Sequence, residues 1–170
     1  MALQHGASAE VLDGIRQGNL DVGFYSEAGV PDPSLSTWEV GHFGIYLAAA
    51  PGVIDLSQPI DWKVLEGQPW ICPAASTCCG KVAEHLFRLH DIRPEKMISV
   101  DRENVTRTLI AGGVGIGLLH TSTAQEARLL GEVELICEAQ KSAKILCVYR
   151  QRRANEPLLN AVTAILRSEL

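Results

Sequence analysis

The order of apolar and polar residues along the chain predicts helices and strands in alternation. After Ser8, apolar residues recur at helical spacing until Gly18, which predicts a helix capped by Ser8. Apolar and polar residues alternate in Leu20–Tyr25, which is typical of a strand, and a loop follows at Glu27–Ser36. The same reasoning predicts helices at 61–67, 76–90, 103–111, 121–130 and from a cap at Asn155 onward, and strands or apolar runs at 43–50, 70–72, 96–100, 116–119, 133–137 and 144–149. This alternation indicates an α/β fold with a mainly parallel sheet.

Composition narrows the class of protein. Apolar residues make up 46% of the 170 residues, which excludes a disordered chain. The 15 basic and 20 acidic residues give a net charge of −5, and aromatic residues are only 5%. A general nucleic-acid binder is usually strongly basic, so this balance argues against one.

The sequence also argues against a membrane or secreted protein. The uncharged stretch Thr108–Gln125 is interrupted by glycines, a histidine and hydroxyl residues, so it does not predict a spanning helix. The first residues lack a basic segment followed by an apolar run, so no secretory signal is expected. We therefore expect a cytoplasmic protein whose five cysteines are reduced thiols.

Polar residues follow several of the predicted strands. Ser26 follows the first strand, Ser76 and Thr77 follow the strand at Trp70, and Asn104 begins the helix after the strand at 96–100. Ligands of α/β sheets collect at the carboxyl ends of strands, beside helix N-termini, so these four residues are candidate ligand-binding positions.

The glycine-rich run Gly112–Gly117 invites comparison with a nucleotide-binding loop. Such a loop leaves a strand and enters a helix, whereas this run leaves a helix and enters a strand. The pattern favours a helix C-terminus with close backbone packing.

Two adjacent cysteines and one histidine are further candidates for chemistry. Cys78 and Cys79 lie in the first turn of a predicted helix, where the helix dipole favours a thiolate, so a redox role is one interpretation and simple packing is the other. Their spacing does not match a zinc site, so no metal is predicted. Of five scattered histidines, His120 is the one expected to face a cleft, because it follows the strand Ile116–Leu119.

The order of motifs resembles the effector-binding domain of LysR-type transcriptional regulators. The resemblance rests on HGASAEVLDGIRQGNLDVGF, then QPWICPAASTCCGKVAEHLF, then DIRPEKMISVDRENVTRTLIAGGVGIGLLH, and finally ILCVYRQRRANEPLLNAVTAIL. Each motif alone is weak, but together they span essentially the whole chain in the family's order.

The resemblance implies a type 2 periplasmic-binding-protein-like α/β fold with two lobes and a ligand cleft between them. Lobe I would comprise residues 1–68 and 151–170, and lobe II residues 69–150. The implied ligand-binding residues are Ser8 and Ser26 from the first lobe and Ser76 and Thr77 from the second, with Asn104 and His120 as further candidates. Helix N-termini converging on the cleft would favour a small anion such as a carboxylate.

Two departures from the family pattern matter. His120 stands where the family usually has a proline. The family also begins with a winged helix-turn-helix, and its effector domain opens with a strand and a helix, so we expect the first lobe here to lack these elements. A lobe without an inner strand exposes unpaired backbone groups, which predicts a homodimer.

These observations predict an effector-sensing domain, which is not an enzyme, has no cofactor, and reaches DNA only through a helix-turn-helix domain outside this sequence. A stand-alone solute-binding protein of the same fold is the first alternative. An enzyme that uses Cys78 or Cys79 as a nucleophile is the second.

Overall fold

The chain folds into a mixed α/β structure, seen in a computed structural model that describes residue 4 and residues 6–168, without the side chains of residues 158, 163 and 166–168. The helices are α1 (Ser8–Gln17), α2 (Trp62–Glu66), α3 (Cys78–Leu89), α4 (Glu103–Ala111), α5 (Thr121–Leu129) and α6 (Pro157–Ser168). The strands are β1 (Gly23–Glu27), β2 (Ser36–Ala49), β3 (Trp70–Cys72), β4 (Met97–Ser99), β5 (Ile116–His120) and β6 (Glu134–Tyr149). A short 3-10 helix, Gln151–Arg153, follows β6.

The chain forms two compact units, which are called unit 1 and unit 2 here. Unit 1 comprises the chain up to His42, residues Ser76–Cys78 and the chain from Ala143 onward. Unit 2 comprises Phe43–Ala75 and Cys79–Ser142. The long strands β2 and β6 each contribute residues to both units. The lobe boundaries expected from the family resemblance stay a prediction.

Unit 1 is built around an antiparallel pair of strands. The whole of β1 pairs with the end of β6, and Tyr25 lies opposite Leu146. Helix α1 packs on β1 and contributes Ile15 to the core. Leu35 and Val148 complete this core, whose members are at most 9% exposed.

In unit 2, strand β5 lies between two neighbours of opposite direction. It pairs antiparallel with β2, so that Ile45 lies opposite His120, and parallel with β3. Strand β3 then pairs parallel with β4. Helices α4 and α5 pack against this sheet and bury a core of seven residues: Ala48, Ile71, Ile110, Leu119, Ala124, Ala127 and Val133.

The strands depart from the sequence prediction in three ways. The six-stranded sheet is mixed, so the expectation of a mainly parallel sheet was wrong. Strand β6 is continuous through 138–143, where the polar sequence predicted a break, and β2 begins at Ser36, well before the apolar run at 43–50. Both added segments are largely polar and partly exposed, so they lack the apolar residues that mark a buried strand.

Several predicted helix starts move by one or two residues. The cap of α1 is Ala7, whose backbone N–H donates to Glu10 Oε2 at 2.8 Å, so Ser8 is the first helical residue and not the cap. Helix α6 begins at Pro157, which places residue 156 and not Asn155 before it. The helix predicted at 61–67 is α2, and Asp61 is its cap and not its first residue, because the Asp61 side chain accepts a hydrogen bond from the backbone N–H of Lys63.

The glycine-rich run behaves as predicted. Gly112 ends α4, and Gly113 has a φ of +71°, a conformation that favours glycine. A Cβ at Gly115 would lie 2.3 Å from the Pro69 carbonyl oxygen, and one at Gly117 would lie 2.8 Å from that of Ile71. The run therefore ends a helix and lets two backbones approach closely.

Candidate functional site

Three polar side chains from different elements of unit 2 meet at one end of its sheet. His120 is the last residue of β5, Glu103 is the first residue of α4, and Cys79 is the second residue of α3. The carboxyl end of a strand and the starts of helices meet at the same edge of an α/β sheet, which brings these residues together. We call Cys79, His120 and Glu103 the thiol–imidazole cluster.

The distances in the thiol–imidazole cluster are those of direct contacts. Glu103 Oε2 lies 2.9 Å from His120 Nδ1, and Glu103 Oε1 accepts a hydrogen bond from the His120 backbone N–H at 2.6 Å. The other ring nitrogen, Nε2, lies 3.5 Å from the sulfur of Cys79. The His120 and Glu103 side chains are 35% and 29% exposed, so small molecules can reach the cluster.

Electrostatics define the charge of the carboxyl group. Burial raises the pKa of Glu103, but hydrogen bonds from the His120 side chain and backbone, together with one from Thr123, outweigh burial, so this pKa lies below its ordinary value. Glu103 is therefore a carboxylate, and the start of α4 also favours a negative charge there. A carboxylate next to Nδ1 requires a proton on that nitrogen, which leaves Nε2 to interact with the sulfur.

Residues of β2 pack beside the imidazole. The Phe43 ring meets the His120 ring edge to face, with 4.4 Å between centroids. Next to it, a Cβ at Gly44 would lie 2.6 Å from Thr121 Oγ1, so the absence of a side chain there leaves room for the start of α5. His120 makes no side-chain hydrogen bond as the cap of α5, and its two ring nitrogens face Glu103 and Cys79.

The other cysteines occupy different environments. Burial raises the pKa of Cys72 to about 12 and that of Cys147 to about 11, and burial also raises the pKa of Cys137. Cys78 is buried in unit 1, whereas Cys79 is partly exposed. Of the two adjacent cysteines singled out in the sequence, the structure therefore pairs Cys79 with a histidine.

The remaining predicted ligand-binding residues lie as follows. Ser8, Ser26, Ser76 and Thr77 belong to unit 1. Ser26 lies within β1, opposite Ile145, and not after the strand as predicted, because β1 extends to Glu27. Ser76 and Thr77 directly precede α3. Their role as ligand-binding residues stays a prediction.

Asn104 lies beside the cluster, on the exposed side of the first turn of α4. Its side-chain oxygen accepts a hydrogen bond from the backbone N–H of Val105 at 3.0 Å. Its position next to Glu103 keeps it near the cluster without placing it in the chain of contacts.

Unit 1 carries a second candidate site, an open recess of about 570 Å³ that we call the arginine recess. Arg16 is held there by Asp32, at 2.6 Å, and by Asp13, at 2.8 Å. The Nε atom of Arg150 is buried and has no hydrogen-bond partner. The residues lining the arginine recess are Arg16, Ser34, Leu35, Arg150, Gln151 and Arg152.

Hydrogen bonds from Ser34 and the Arg16 guanidinium lower the pKa of Asp32 to about 2, so Asp32 compensates part of the positive charge of the arginine recess. Arg153 lies outside the lining and pairs with Asp21 and Glu156. Among the described side chains, Arg150 and Arg152 of the recess form no direct ion pair, and the charge of Arg150 helps to lower the pKa values of Asp21 and Glu156.

The described residues contain neither a candidate metal site nor a candidate membrane-spanning helix. Within residues 6–168 as described, no group of three or more His, Cys, Asp or Glu side chains could hold a metal ion. Of the helices described, none has the length and apolar character needed to cross a membrane.

Sequence reasoning singled out Cys79 and His120 separately but missed Glu103 and the arginine recess. Glu103 is 17 residues from His120 in the chain, so no local spacing pointed to their contact. The cluster Arg150–Arg153 was visible in the sequence, but charged residues at the end of a strand usually indicate a solvated turn.

The chain was compared with protein families, with curated proteins and with solved structures. The chain matches the family model described as LysR substrate binding domain over residues 1–170. A search of curated proteins finds no significant match. Solved structures are similar in fold.

The regulatory domain of HypT from Salmonella typhimurium in its apo-form has a TM-score of 0.76 and 13% identity, and the match covers 98% of this chain and 80% of that one. Its bromide ion-bound form has a TM-score of 0.75 and 14% identity, with the same coverage of 98% and 80%. The regulatory domain of Synechocystis PCC6803 CcmR in complex with 2-PG has a TM-score of 0.74 and 13% identity, and the match covers 95% of this chain and 79% of that one.

Proposed function

Because this chain belongs to the LysR substrate-binding domain family, we propose that it senses a small anionic effector on behalf of a LysR-type transcriptional regulator. The observation that carries the choice of an anion is the arginine recess. Its volume of about 570 Å³ lies within the range of roughly 300–1,000 Å³ that is usual for small-molecule sites.

The chemistry of the arginine recess suits a carboxylate or a similar anion. Arginine presents several N–H donors in one plane and binds carboxylates and phosphates through paired hydrogen bonds. The buried Nε atom of Arg150 lacks a hydrogen-bond partner, and a buried donor without a partner is unfavourable. An anion that accepted this hydrogen bond would remove that cost.

Two similar structures support an anion of modest size. The regulatory domain of HypT is known in a bromide ion-bound form, and that of CcmR in complex with 2-PG. These ligands belong to those proteins, and here they serve as guides to the size and charge of compounds worth testing.

The signalling that we propose needs an effector that binds one conformation of the domain better than another.

We also propose that the domain works as a homodimer. Strand β1 lies at the end of the sheet order, and Phe24 on it is 46% exposed. Edge strands offer unpaired backbone groups that a second chain can cover. A monomeric mass in light scattering at micromolar concentration would contradict the dimer.

DNA recognition, in this proposal, belongs to a helix-turn-helix domain outside these 170 residues. The net charge of −5 disfavours binding to the phosphate backbone by this chain itself. We further propose a cytoplasmic location and a role without catalysis, as expected for a sensing domain of a regulator. Retardation of an operator fragment by this chain at physiological salt would contradict the assignment of DNA binding.

The experiment is a thermal-shift screen with small mono- and dicarboxylates and small organic phosphates at constant ionic strength. A compound present at about 100 times its Kd should stabilise the domain by about 2.7 kcal/mol. Arg150→Gln should weaken binding of the best anion by about tenfold or more, because hydrogen bonds to charged groups contribute about 1.5–3 kcal/mol.

The matched control is Arg128→Gln, which removes an exposed arginine from the end of α5 in unit 2. This variant should bind the anion as the wild type does. Equal binding by Arg150→Gln and the wild type would show that the arginine recess is not the effector site.

A further inference from the structure

The thiol–imidazole cluster has an arrangement that the binding of an anion does not require. We propose that Cys79 is a nucleophile activated by His120, and that it forms a covalent adduct with small α,β-unsaturated carbonyl compounds. A nucleophile, a base within reach of it and a third group that orients the base form the arrangement found at activated thiols and hydroxyls. Here the three groups come from three separate elements of unit 2.

Glu103 is the positioning residue of this cluster. It accepts hydrogen bonds from both the backbone N–H and the Nδ1 side of His120, so the imidazole cannot rotate without losing a contact. This holds Nε2 towards the sulfur at 3.5 Å. The carboxylate also stabilises the imidazolium that forms when the thiol proton moves to Nε2, and the imidazolium in turn stabilises the thiolate.

The groups that face the imidazole come from each neighbouring element. The Glu103 carboxylate comes from α4, the Cys79 sulfur from α3, and the uncharged Phe43 ring from β2. Of these three groups, the Glu103 carboxylate carries the negative charge that an imidazolium would face. The start of α3, with its positive dipole end, adds to the stabilisation of a thiolate at its second residue.

The reaction that this site can complete is conjugate addition. The thiolate sulfur attacks the β-carbon of the unsaturated carbonyl compound, a carbon–sulfur bond forms, and the π electrons move to give an enolate. The proton held at His120 Nε2 then passes to the enolate, so that the sum is the addition of S–H across the double bond. Nothing is oxidised or reduced, and no group leaves.

A hydroperoxide is the alternative reactant that the test must separate. It would convert the thiol to a sulfenic acid, which usually becomes stable by condensing with a second thiol. Cys78 is adjacent and buried, and burial raises the pKa values of Cys72, Cys137 and Cys147. Conjugate addition needs no second thiol, and for this reason we favour the alkene.

The probe is acrylamide, a small α,β-unsaturated amide without the negative charge that the arginine recess is proposed to bind. The rate of alkylation is followed by intact mass, and the modified residue is identified by peptide mapping. The variants are Cys79→Ser, His120→Gln and Glu103→Gln. The matched control is His85→Gln, since His85 is an exposed histidine on the same helix as Cys79.

The alkylation rates of the wild type and of His120→Gln, plotted against pH, should cross. If His120 takes up the thiol proton, the wild type holds more thiolate at pH 6.5 than His120→Gln does, but a stabilised thiolate is intrinsically less nucleophilic. Together these effects predict that His120→Gln is alkylated several-fold more slowly than the wild type at pH 6.5 and several-fold faster at pH 9.5. Glu103→Gln should lie between the two, and His85→Gln should follow the wild type.

A merely structural role of His120 would not invert the ratio of rates at high pH. The proposal is overturned if alkylation falls on another cysteine first, or if His120→Gln and the wild type have parallel pH profiles.

A parallel experiment treats the protein with hydrogen peroxide and traps sulfenic acid. If Cys79 is oxidised faster than it is alkylated at equal reagent concentration, the assignment to unsaturated carbonyl compounds is wrong. Because acrylamide is neutral, a negative result in this experiment would not contradict the proposal of an anionic effector.

Discussion

Gly115→Ala should destabilise the protein through a clash with a neighbouring backbone. The added Cβ would lie 2.3 Å from the Pro69 carbonyl oxygen, roughly 1 Å less than an ordinary carbon–oxygen contact of about 3.3 Å. That oxygen also accepts the hydrogen bond of the Ile116 N–H at 2.8 Å, which helps to join β3 and β5. Overpacking costs about 1–3 kcal/mol and a weakened hydrogen bond about 1 kcal/mol, so we expect a loss of about 2–4 kcal/mol.

The measurement is urea unfolding followed by tryptophan fluorescence, with thermal unfolding in parallel. Trp70 follows Pro69 directly and is fully buried, so its emission reports on this part of the core. For a chain of this length each kcal/mol lowers the Tm by about 2–4 °C, which predicts a decrease of about 5–15 °C.

The control is Gly67→Ala, because Gly67 has a φ of −72° and an added Cβ would make an ordinary contact of 3.6 Å. This variant should be neutral, or more stable by up to about 1 kcal/mol through the unfolded state. If Gly115→Ala unfolds within about 0.5 kcal/mol of the wild type, the reasoning from backbone contact is refuted.

Three further predictions concern single side chains. Asp61→Ala removes the cap of α2 and should cost about 1 kcal/mol in urea unfolding, whereas Asp61→Asn should retain most of the stability. Tyr25→Phe should raise the free energy of unfolding by up to about 1 kcal/mol, because the buried hydroxyl lacks a hydrogen-bond partner; a clear loss would reveal a contact that the structure does not show. The lowered pKa of Glu103 contributes stability that is present above the ordinary carboxyl pKa of about 4.3 and is lost as pH falls through the lowered pKa. Unfolding curves of wild type and Glu103→Gln should therefore differ near pH 6 and converge in acid, and a constant difference would contradict this linkage.

Local patterns predicted the helices well, because each helix carries its own signals. The residues 61–67 that predicted α2 and the glycines after α4 are local signals of this kind, each lying within a few consecutive residues. Strands were predicted less well where they are not buried. The polar segment of β6 at 138–143 continues a strand because of its neighbours in the sheet, and such support is invisible in a local pattern.

The candidate site, too, was predicted from the sequence only in part. Cys79 and His120 could be singled out individually, one from its place at a helix start and the other from its place after a strand. Their contact with each other, and the role of Glu103, arise from the folding of three elements onto one edge of a sheet. In the arginine recess, Arg16 and Arg150 are 134 positions apart in the chain numbering and meet through the pairing of β1 with β6.

Because the cysteines differ in exposure, their labelling rates can report how often buried parts of the protein open. Cys72 and Cys147 are 5% and 0% exposed, and a reagent in solution meets them after the surrounding structure opens. In a labelling experiment the fast phase would count surface thiols. The slow phases would report how often each buried segment opens, Cys72 for β3 and Cys147 for the end of β6. One reagent, followed over time, would thus compare the local opening of unit 1 with that of unit 2 in the same native sample.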